Sequence, residues 1–243
     1  MTLNKVVIAA AGQGTRMLSL TRHKSKHLIR VRKKPFLSYL LDNLLRAGYK
    51  DLILITGYRE DLMRKFLKDY NYKAEVVNQF EVLGGKEKIY GTACPLMCVK
   101  NIIKRDHFLF VCGDNLYSIK DLKAMRGDKR YNYVAGIYNP HPERYGVLAT
   151  DDGFLKKIVE KPKRPVGNLI NTGMYMFSPE VFTKLSRIKK SPRGEYEITD
   201  VITLLAKEKK VKVKKIQDYW LDFGNPADII KLSKFLKTSK NFH

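Results

Sequence analysis

Lys5-Val6-Val7-Ile8-Ala9-Ala10-Ala11-Gly12-Gln13-Gly14-Thr15-Arg16 is the stretch on which the fold turns. An apolar run without polar alternation, ending in glycine, reads as a strand buried on both faces, the habit of parallel sheets. The two glycines after it let backbone N–H groups turn inward and approach an anion closely. A dinucleotide fingerprint would need a third glycine where Met17 stands, and a Walker A loop would need Gly-Lys-Ser/Thr. Taken alone, the loop is a phosphate loop of another kind or a tight turn.

The pattern repeats outward. Apolar residues at helical spacing over Pro35 to Ala47 end at Gly48, and Asp51 to Thr56 is a second buried strand. A helix over Arg59 to Asp69, a strand over Tyr72 to Val77, a helix over Thr92 to Ile103 and a strand over His107 to Cys112 come next. After about Tyr131 the rhythm changes. Tyr131 to Tyr138, Tyr145 to Thr150, Phe154 to Glu160 and Ile170 to Phe177 are strand-like in succession, with a hairpin signal at Asp151-Asp152-Gly153. Helices return over Pro179 to Leu185, Thr199 to Lys207 and Pro226 to Leu236, around strands at Val211 to Ile216 and Trp220. The expected class is α/β: a three-layer α/β/α arrangement with a Rossmann-like, mixed but mostly parallel sheet. One domain over residues 1–243 is expected, with a nucleotide-binding half (1–130) and a second half (131–243).

With 44% hydrophobic and 11% aromatic residues in 243, the chain is neither disordered nor collagen-like. No apolar run approaches the roughly 18 residues of a membrane span. Three clustered cysteines (Cys94, Cys98, Cys112) are too few for a disulfide framework, and a cytoplasmic protein is expected. Charge is the unusual property: 47 Lys+Arg against 24 Asp+Glu, a formal +23. The first acidic residue is Asp42, and nine cations precede it: Lys5, Arg16, Arg22, Lys24, Lys26, Arg30, Arg32, Lys33 and Lys34. Such a balance suits nucleic acid, or any polyanion, a triphosphate included. Two later stretches, Lys207 to Lys215 and the tail with Lys231, Lys234, Lys237 and Lys240, read as solvated faces.

The glycine loop continues through Ser25-Lys26-His27-Leu28, Lys34-Pro35, Ala47-Gly48 and Gly57. Further along stand Gly113-Asp114-Asn115, Pro142-Glu143-Arg144-Tyr145-Gly146-Val147, Glu160-Lys161-Pro162, Asn171-Thr172-Gly173-Met174-Tyr175, Gly194-Glu195-Tyr196-Glu197-Ile198-Thr199-Asp200 and Trp220-Leu221-Asp222-Phe223-Gly224. This ordered set resembles the sugar-1-phosphate nucleotidylyltransferases, most of all the glucose-1-phosphate thymidylyl- and uridylyltransferases. The resemblance covers nearly the whole chain and implies the fold of nucleotide-diphospho-sugar transferases. The reaction it implies joins a sugar 1-phosphate, glucose 1-phosphate favoured, to dTTP or UTP and releases pyrophosphate, with Mg²⁺ as cofactor.

The nucleophile of that reaction is already ionised, so the protein must align two anions and screen their repulsion rather than supply a base. By resemblance, Arg16, Lys26, Asp114 and Asp222 are the catalytic set, Asp114 and Asp222 holding the metal through oxygen. Ala10, Gly12, Gly14, Thr15, Arg16, Lys26, Gln79, Gly91, Thr92 and Asp114 would bind the nucleotide. Tyr145, Gly146, Glu160, Lys161, Asn171 and Asp222 would bind the sugar phosphate. Each has a plainer reading: Asp114 a turn, Gln79 and Gly91 a strand end and helix start, Glu160 and Lys161 a surface pair, Tyr145 sheet packing. Trp220, the single tryptophan, is expected to pack in the core.

Neither membrane nor nucleic-acid partners are expected, and a monomer or homo-oligomer fits equally. The resemblance carries no C-terminal β-helix domain and no extra helices for a regulatory site. A cytidylyltransferase of the same fold acting on phosphocholine or another sugar phosphate is the alternative, and a non-catalytic nucleic-acid-binding protein a weaker one. Cys94 and Cys98, four apart on a helix, read as buried thiols, and His23, His27, His107, His141 and His243 form no metal pattern.

Overall fold

A computed structural model describes residues 3–12, 14–21, 24–85 and 89–239. Gln13, Arg22, His23, Lys86, Glu87, Lys88, Lys240 and His243 lie outside the described residues, as do the side chains of Thr15 and Ser19. The first half runs β1 (Lys5–Ala9), the hairpin β2 (Arg30–Val31) and β3 (Lys34–Pro35), α1 (Phe36–Arg46), β4 (Asp51–Thr56), α2 (Glu60–Asp69), β5 (Glu75–Asn78), α3 (Gln79–Leu83), α4 (Cys94–Ile103), β6 (Phe108–Cys112), β7 (Asn115–Tyr117) and α5 (Ile119–Ala124). The second runs β8 (Asn132–Tyr138), β9 (Gly146–Asp151), β10 (Phe154–Glu160), β11 (Leu169–Phe177), α6 (Val181–Leu185), α7 (Ile198–Lys207), β12 (Val211–Lys215), β13 (Trp220–Asp222) and α8 (Pro226–Thr238).

One large sheet has the order β5-β4-β1-β6-β11-β8-β12-β10-β9, and β13 pairs with β7 in a small second sheet. The period-2 side-chain alternation of each strand sorts the core into two faces. Val6, Ile8, Leu52 and Leu54 pack with Leu40 and Leu44 of α1 and Leu232 of α8. Val7, Ile53, Ile55 and Phe110 pack with Leu96 and Val99 of α4 and Val201 and Leu205 of α7. Burying each such side chain contributes about 1.5–3 kcal/mol, well above the ~0.5 kcal/mol of a surface ion pair. The two apolar faces therefore outweigh the surface charges in holding the layers together. Among the described residues no helix is long and apolar enough to cross a membrane.

The sheet is mixed and mostly parallel, as expected: seven of its nine strands run one way, and β10 and β11 run against them. Strands β5, β4, β1 and β6 run parallel, as do β8 and β12. Strand β11 is antiparallel to β6, β8 and β9, and β10 to β9 and β12. For β9 and β10 the cause is connection length: a two-residue turn can only return the chain antiparallel, whereas a parallel neighbour needs a crossover. Asp152 and Gly153 both have positive φ (45° and 75°), the conformation of a tight hairpin turn, and Asp151 pairs directly with Phe154. A departure from expectation lies before β5. The strand expected from Tyr72 starts at Glu75, because Tyr72 closes the end of α2, its N–H donating to Leu67 O at 2.9 Å. Its hydroxyl donates to Asp42 Oδ1 at 2.6 Å.

Candidate active site

In a parallel α/β sheet the neighbours of one strand leave in opposite directions, and the crevice at its carboxyl end is where ligands bind. Here that strand is β1, flanked by β4 and β6, and its end opens into a cleft of about 350 Å³. Of the residues singled out in the sequence, Gly12, Lys26, Gln79, Gly91, Thr92, Asp114, Tyr145, Glu160, Asn171 and Asp222 line it. They come from both halves of the chain, brought together because β11 is inserted beside β6.

Gly12 is exposed, and a Cβ on it would meet nothing within 4 Å, so its backbone faces open space in the cleft. Gly14 has a different reason to be glycine. Its φ is +68°, and a Cβ there would stand 2.9 Å from Lys26 Cβ. The loop thus leaves room for the Lys26 stem. Thr15 opens a short helix reaching Thr21, on which Arg16 is exposed and Met17 fully buried. Met17, where a dinucleotide loop would have glycine, is a core residue. Ala10 is also buried, with its N–H donating to Ile55 O at 2.9 Å; Ala9 and Ala11 face the cleft in its place.

Lys26 is buried and forms an ion pair with Asp114 Oδ2. Burial opposes ionisation of Asp114, but the Lys26 charge and hydrogen bond outweigh it and lower its pKa. His27 is 1% exposed, within hydrogen-bond distance of Ser25 Oγ (2.7 Å from Nδ1), and burial with the adjacent Lys26 charge lowers its pKa to about 3. It is a neutral imidazole at ordinary pH. Asp114 lies in the turn between β6 and β7, and β13 pairs antiparallel with β7, Asp222 opposite Asn115. The Phe223 N–H donates to Asp114 O at 2.8 Å, closing the two acidic segments against each other. Burial first, then the charges of Asp114 and Asp228, raise the Asp222 pKa to about 6.

Paired carboxylates, one of them held reluctantly ionised, are a donor set that suits a hard divalent cation. Among the described residues no group of three or more acidic, His or Cys side chains could hold a metal. Mg²⁺ fits this, since it usually takes one or two carboxylates and fills its remaining positions with phosphate and water.

On the opposite wall Gln79 is the first residue of α3, 3% exposed, and its Oε1 is buried with no hydrogen-bond partner among the described residues. Gly91 has φ +137°, and a Cβ there would lie 2.2 Å from Tyr196 O. Residues 90–93 are zipped to 195–198: Tyr196 N–H donates to Tyr90 O (2.8 Å) and Ala93 N–H to Tyr196 O (2.9 Å). The Thr92 hydroxyl is committed to the same seam, donating to Glu197 Oε2 at 3.1 Å and accepting from the Ile198 N–H at 2.9 Å.

In the second half, Gly146 lies opposite Glu160, and a Cβ on it would stand 3.0 Å from Glu160 Oε2. The Asn171 amide donates to the Tyr175 hydroxyl at 2.7 Å. Lys161 is exposed, with φ +42° and its N–H donating to Tyr145 O at 3.0 Å; it does not line the cleft. Trp220 packs against the core, as expected, and also reaches the cleft. It is only half-buried and lines the cleft, its ring edge-on to Tyr145 at 5.7 Å between centroids, because β13 carries it to the rim. Its Nε1 has no hydrogen-bond partner among the described residues.

Sequence reasoning missed several cleft residues: His27, Cys112, Arg193, Glu195, Glu197 and Thr199. The last three stood inside the quoted Gly194-to-Asp200 motif, but nothing in a polar stretch before a helix shows that it folds back onto residues 90–93. Cys94 and Cys98 are buried free thiols, as expected, while Cys112 is partly exposed at the end of β6.

Nucleotidyl transferases match over residues 5–239. The UTP–glucose-1-phosphate uridylyltransferase AglF of Haloferax volcanii is 32% identical over 232 residues, covering 92% of this chain and 93% of its own. A bifunctional sugar-1-phosphate nucleotidylyltransferase/acetyltransferase of Sulfurisphaera tokodaii is 32% identical over 95% of this chain, which spans only 55% of that relative. A Bacillus anthracis structure assigned as a glucose-1-phosphate thymidylyltransferase superposes with a TM-score of 0.83 at 25% identity, covering 97% of this chain and 96% of its own.

Proposed function

This chain belongs to the nucleotidyl transferase family, and from that premise we propose that it joins a sugar 1-phosphate, glucose 1-phosphate favoured, to UTP or dTTP with Mg²⁺. The observation that carries the reading is the strand-end cleft holding Lys26 and the Asp114–Asp222 pair, with a bare glycine backbone at one side. A relative matched over nearly its full length is named for UTP and glucose 1-phosphate, which supports the substrate choice.

A phosphate oxygen of the sugar 1-phosphate attacks the α-phosphorus in line. The bond from that phosphorus to the α–β bridging oxygen breaks, and its electron pair leaves on pyrophosphate. No proton moves, so no general base is needed. Lys26 meets the α-phosphate as a point charge, and Arg16 receives the leaving pyrophosphate. Gly12 offers close backbone approach to the triphosphate. Gln79, with its unpartnered carbonyl, reads the pyrimidine edge. Glu160 and Tyr145 receive the sugar, with Trp220 beside them. Asp114 and Asp222 would hold Mg²⁺, which when bound neutralises charge on the reacting phosphates.

Pyrophosphate release from a grid of five nucleoside triphosphates (the four common ribonucleotides and dTTP) against several sugar 1-phosphates and phosphocholine tests this. Highest turnover is expected with UTP or dTTP and glucose 1-phosphate. Turnover with phosphocholine and CTP alone would overturn the substrate reading, and no release from any pair would overturn the activity.

A further inference from the structure

Asp222 ends a strand of three residues, β13, and no long element holds it in place. Phe223, Gly224 and Asn225 connect it to α8. Asp228, in the first turn of α8, is 6% exposed, and its Oδ2 accepts two backbone N–H groups, from Gly224 and from Asn225, both at 2.9 Å. The Asn225 bond is the reciprocal half of a capping box, and starting a helix explains it. The Gly224 bond lies outside the box and reaches back towards the cleft. Gly224 stands directly against Asp222: a Cβ on it would lie 3.4 Å from both carboxylate oxygens. The Asp228 carboxylate thus holds the backbone of the residue whose open side borders the Asp222 carboxylate.

The approach to β13 is held in the same manner. Asp121 is buried and accepts the N–H groups of Gln217 (2.9 Å) and Asp218 (3.1 Å). Phe223, fully buried, stacks on Phe36 with centroids 4.3 Å apart. Between these anchors the tethered Gly224 turns its open side to the Asp222 carboxylate.

We propose that Asp228 is a positioning residue that sets the affinity of the Asp114–Asp222 pair for a divalent cation, through the Gly224 backbone and through its own buried charge. The inference rests on the reading of Asp222 as a cation ligand. Asp228 itself does not line the cleft. Its cationic neighbour, Lys231, is exposed, with Nζ 3.7 Å away, so much of the Asp228 charge is left to act on the cleft. Residues that orient a metal ligand without touching the metal commonly change metal affinity 10–100-fold when altered.

The test is a Mn²⁺ titration of the full chain without nucleotide, monitored by electron paramagnetic resonance of free Mn²⁺, alongside thermal unfolding. Asp228→Asn keeps a carbonyl acceptor for both N–H groups and removes the charge; it is expected to weaken Mn²⁺ binding about tenfold. Asn225→Ala removes the other half of the capping box; it should lower Tm and leave Mn²⁺ affinity unchanged. Steady-state rates should divide the same way, with Asp228→Asn raising the KM for metal more than it lowers kcat. Wild-type Mn²⁺ affinity in Asp228→Asn, or an equal loss in Asn225→Ala, would reduce Asp228 to a helix cap and overturn the proposal. If Asp222→Asn also binds Mn²⁺ as the wild type does, the ligand reading itself fails, and the proposal with it.

Discussion

Replacing Asp222 by asparagine should remove turnover and at the same time stabilise the metal-free protein. The wild-type carboxyl is raised from its ordinary 3.8 to about 6 by burial and by the charges of Asp114 and Asp228. That is roughly 2 pKa units at ~1.4 kcal/mol each, or ~3 kcal/mol for keeping Asp222 ionised. Asp222 borders an open cleft, so solvent screening reduces this to about 1–3 kcal/mol. Linkage sets the sign. The folded chain holds this proton more tightly than the unfolded chain, so wild-type stability falls as pH rises from about 4 to about 6 and then levels off. Asparagine has the same shape and no charge to maintain. Urea unfolding in the presence of a chelator should show the variant more stable at about pH 8, the gain shrinking towards zero near pH 4. Added Mg²⁺ should then stabilise the wild type by mass action and leave the variant where it is. A variant no more stable than the wild type at about pH 8, or a gain that does not change with pH, would refute the reasoning.

Lys26→Met keeps the buried stem and deletes the charge beside Asp114; pyrophosphate-release assays should show kcat/KM lower by ~10²–10³-fold, with a near-wild-type rate counting against its role. Gly91→Ala places a Cβ 2.2 Å from Tyr196 O at a φ that side chains rarely adopt, so urea unfolding should record a loss of about 2–3 kcal/mol or more; an unchanged midpoint would contradict the seam between residues 90–93 and 195–198. Burial pushes the thiols of Cys94 to about 11 and Cys98 to about 12, and raises that of Cys112, so an aromatic disulfide reagent near neutral pH should react slowly with native protein and rapidly after unfolding. A fast native burst of one thiol would show that the cleft-facing Cys112 is activated rather than suppressed.

Much of the fold was legible because β1, β4 and β6 are buried on both faces and carry continuous apolar runs with glycine stops. Helix α1 was legible for a similar reason, its Leu40, Leu41 and Leu44 lying at helical spacing before Gly48. Short elements were not. The Thr15–Thr21 helix, α3, α5 and β7 have three to seven residues each, too few for a period to declare itself. Strand direction in the second half was also hidden, since local pattern reports burial and turns but not which distant strand will be the neighbour. The same limit applies to the cleft. Asp114 and Asp222 were readable from their motifs, but not that β7 and β13 would bring them together, nor that Tyr196 is the reason for Gly91.

The positive charge has two physical origins that the chain order does not separate. Lys26 lines the cleft and pairs directly with Asp114, while Arg16, exposed on the short helix after the glycine loop, acts on Asp222 through its charge. The lysines of β12, which in sequence look like a solvated face, do something else. Val211 is buried on one side of that strand, in the cluster that includes α7. On the other side Lys212 stands over the rings of Tyr131 (4.3 Å) and Phe154 (5.0 Å), and Lys214 over Tyr133 (4.7 Å). Lys214 also donates to Ala124 O and, at 2.9 Å, to Arg126 O, covering the open carbonyls after α5. The aliphatic stems cover aromatic surface while the ammonium groups gain ring and carbonyl contacts. Lysine is thus used to cover aromatic surface of the sheet, and this part of the +23 takes part in packing.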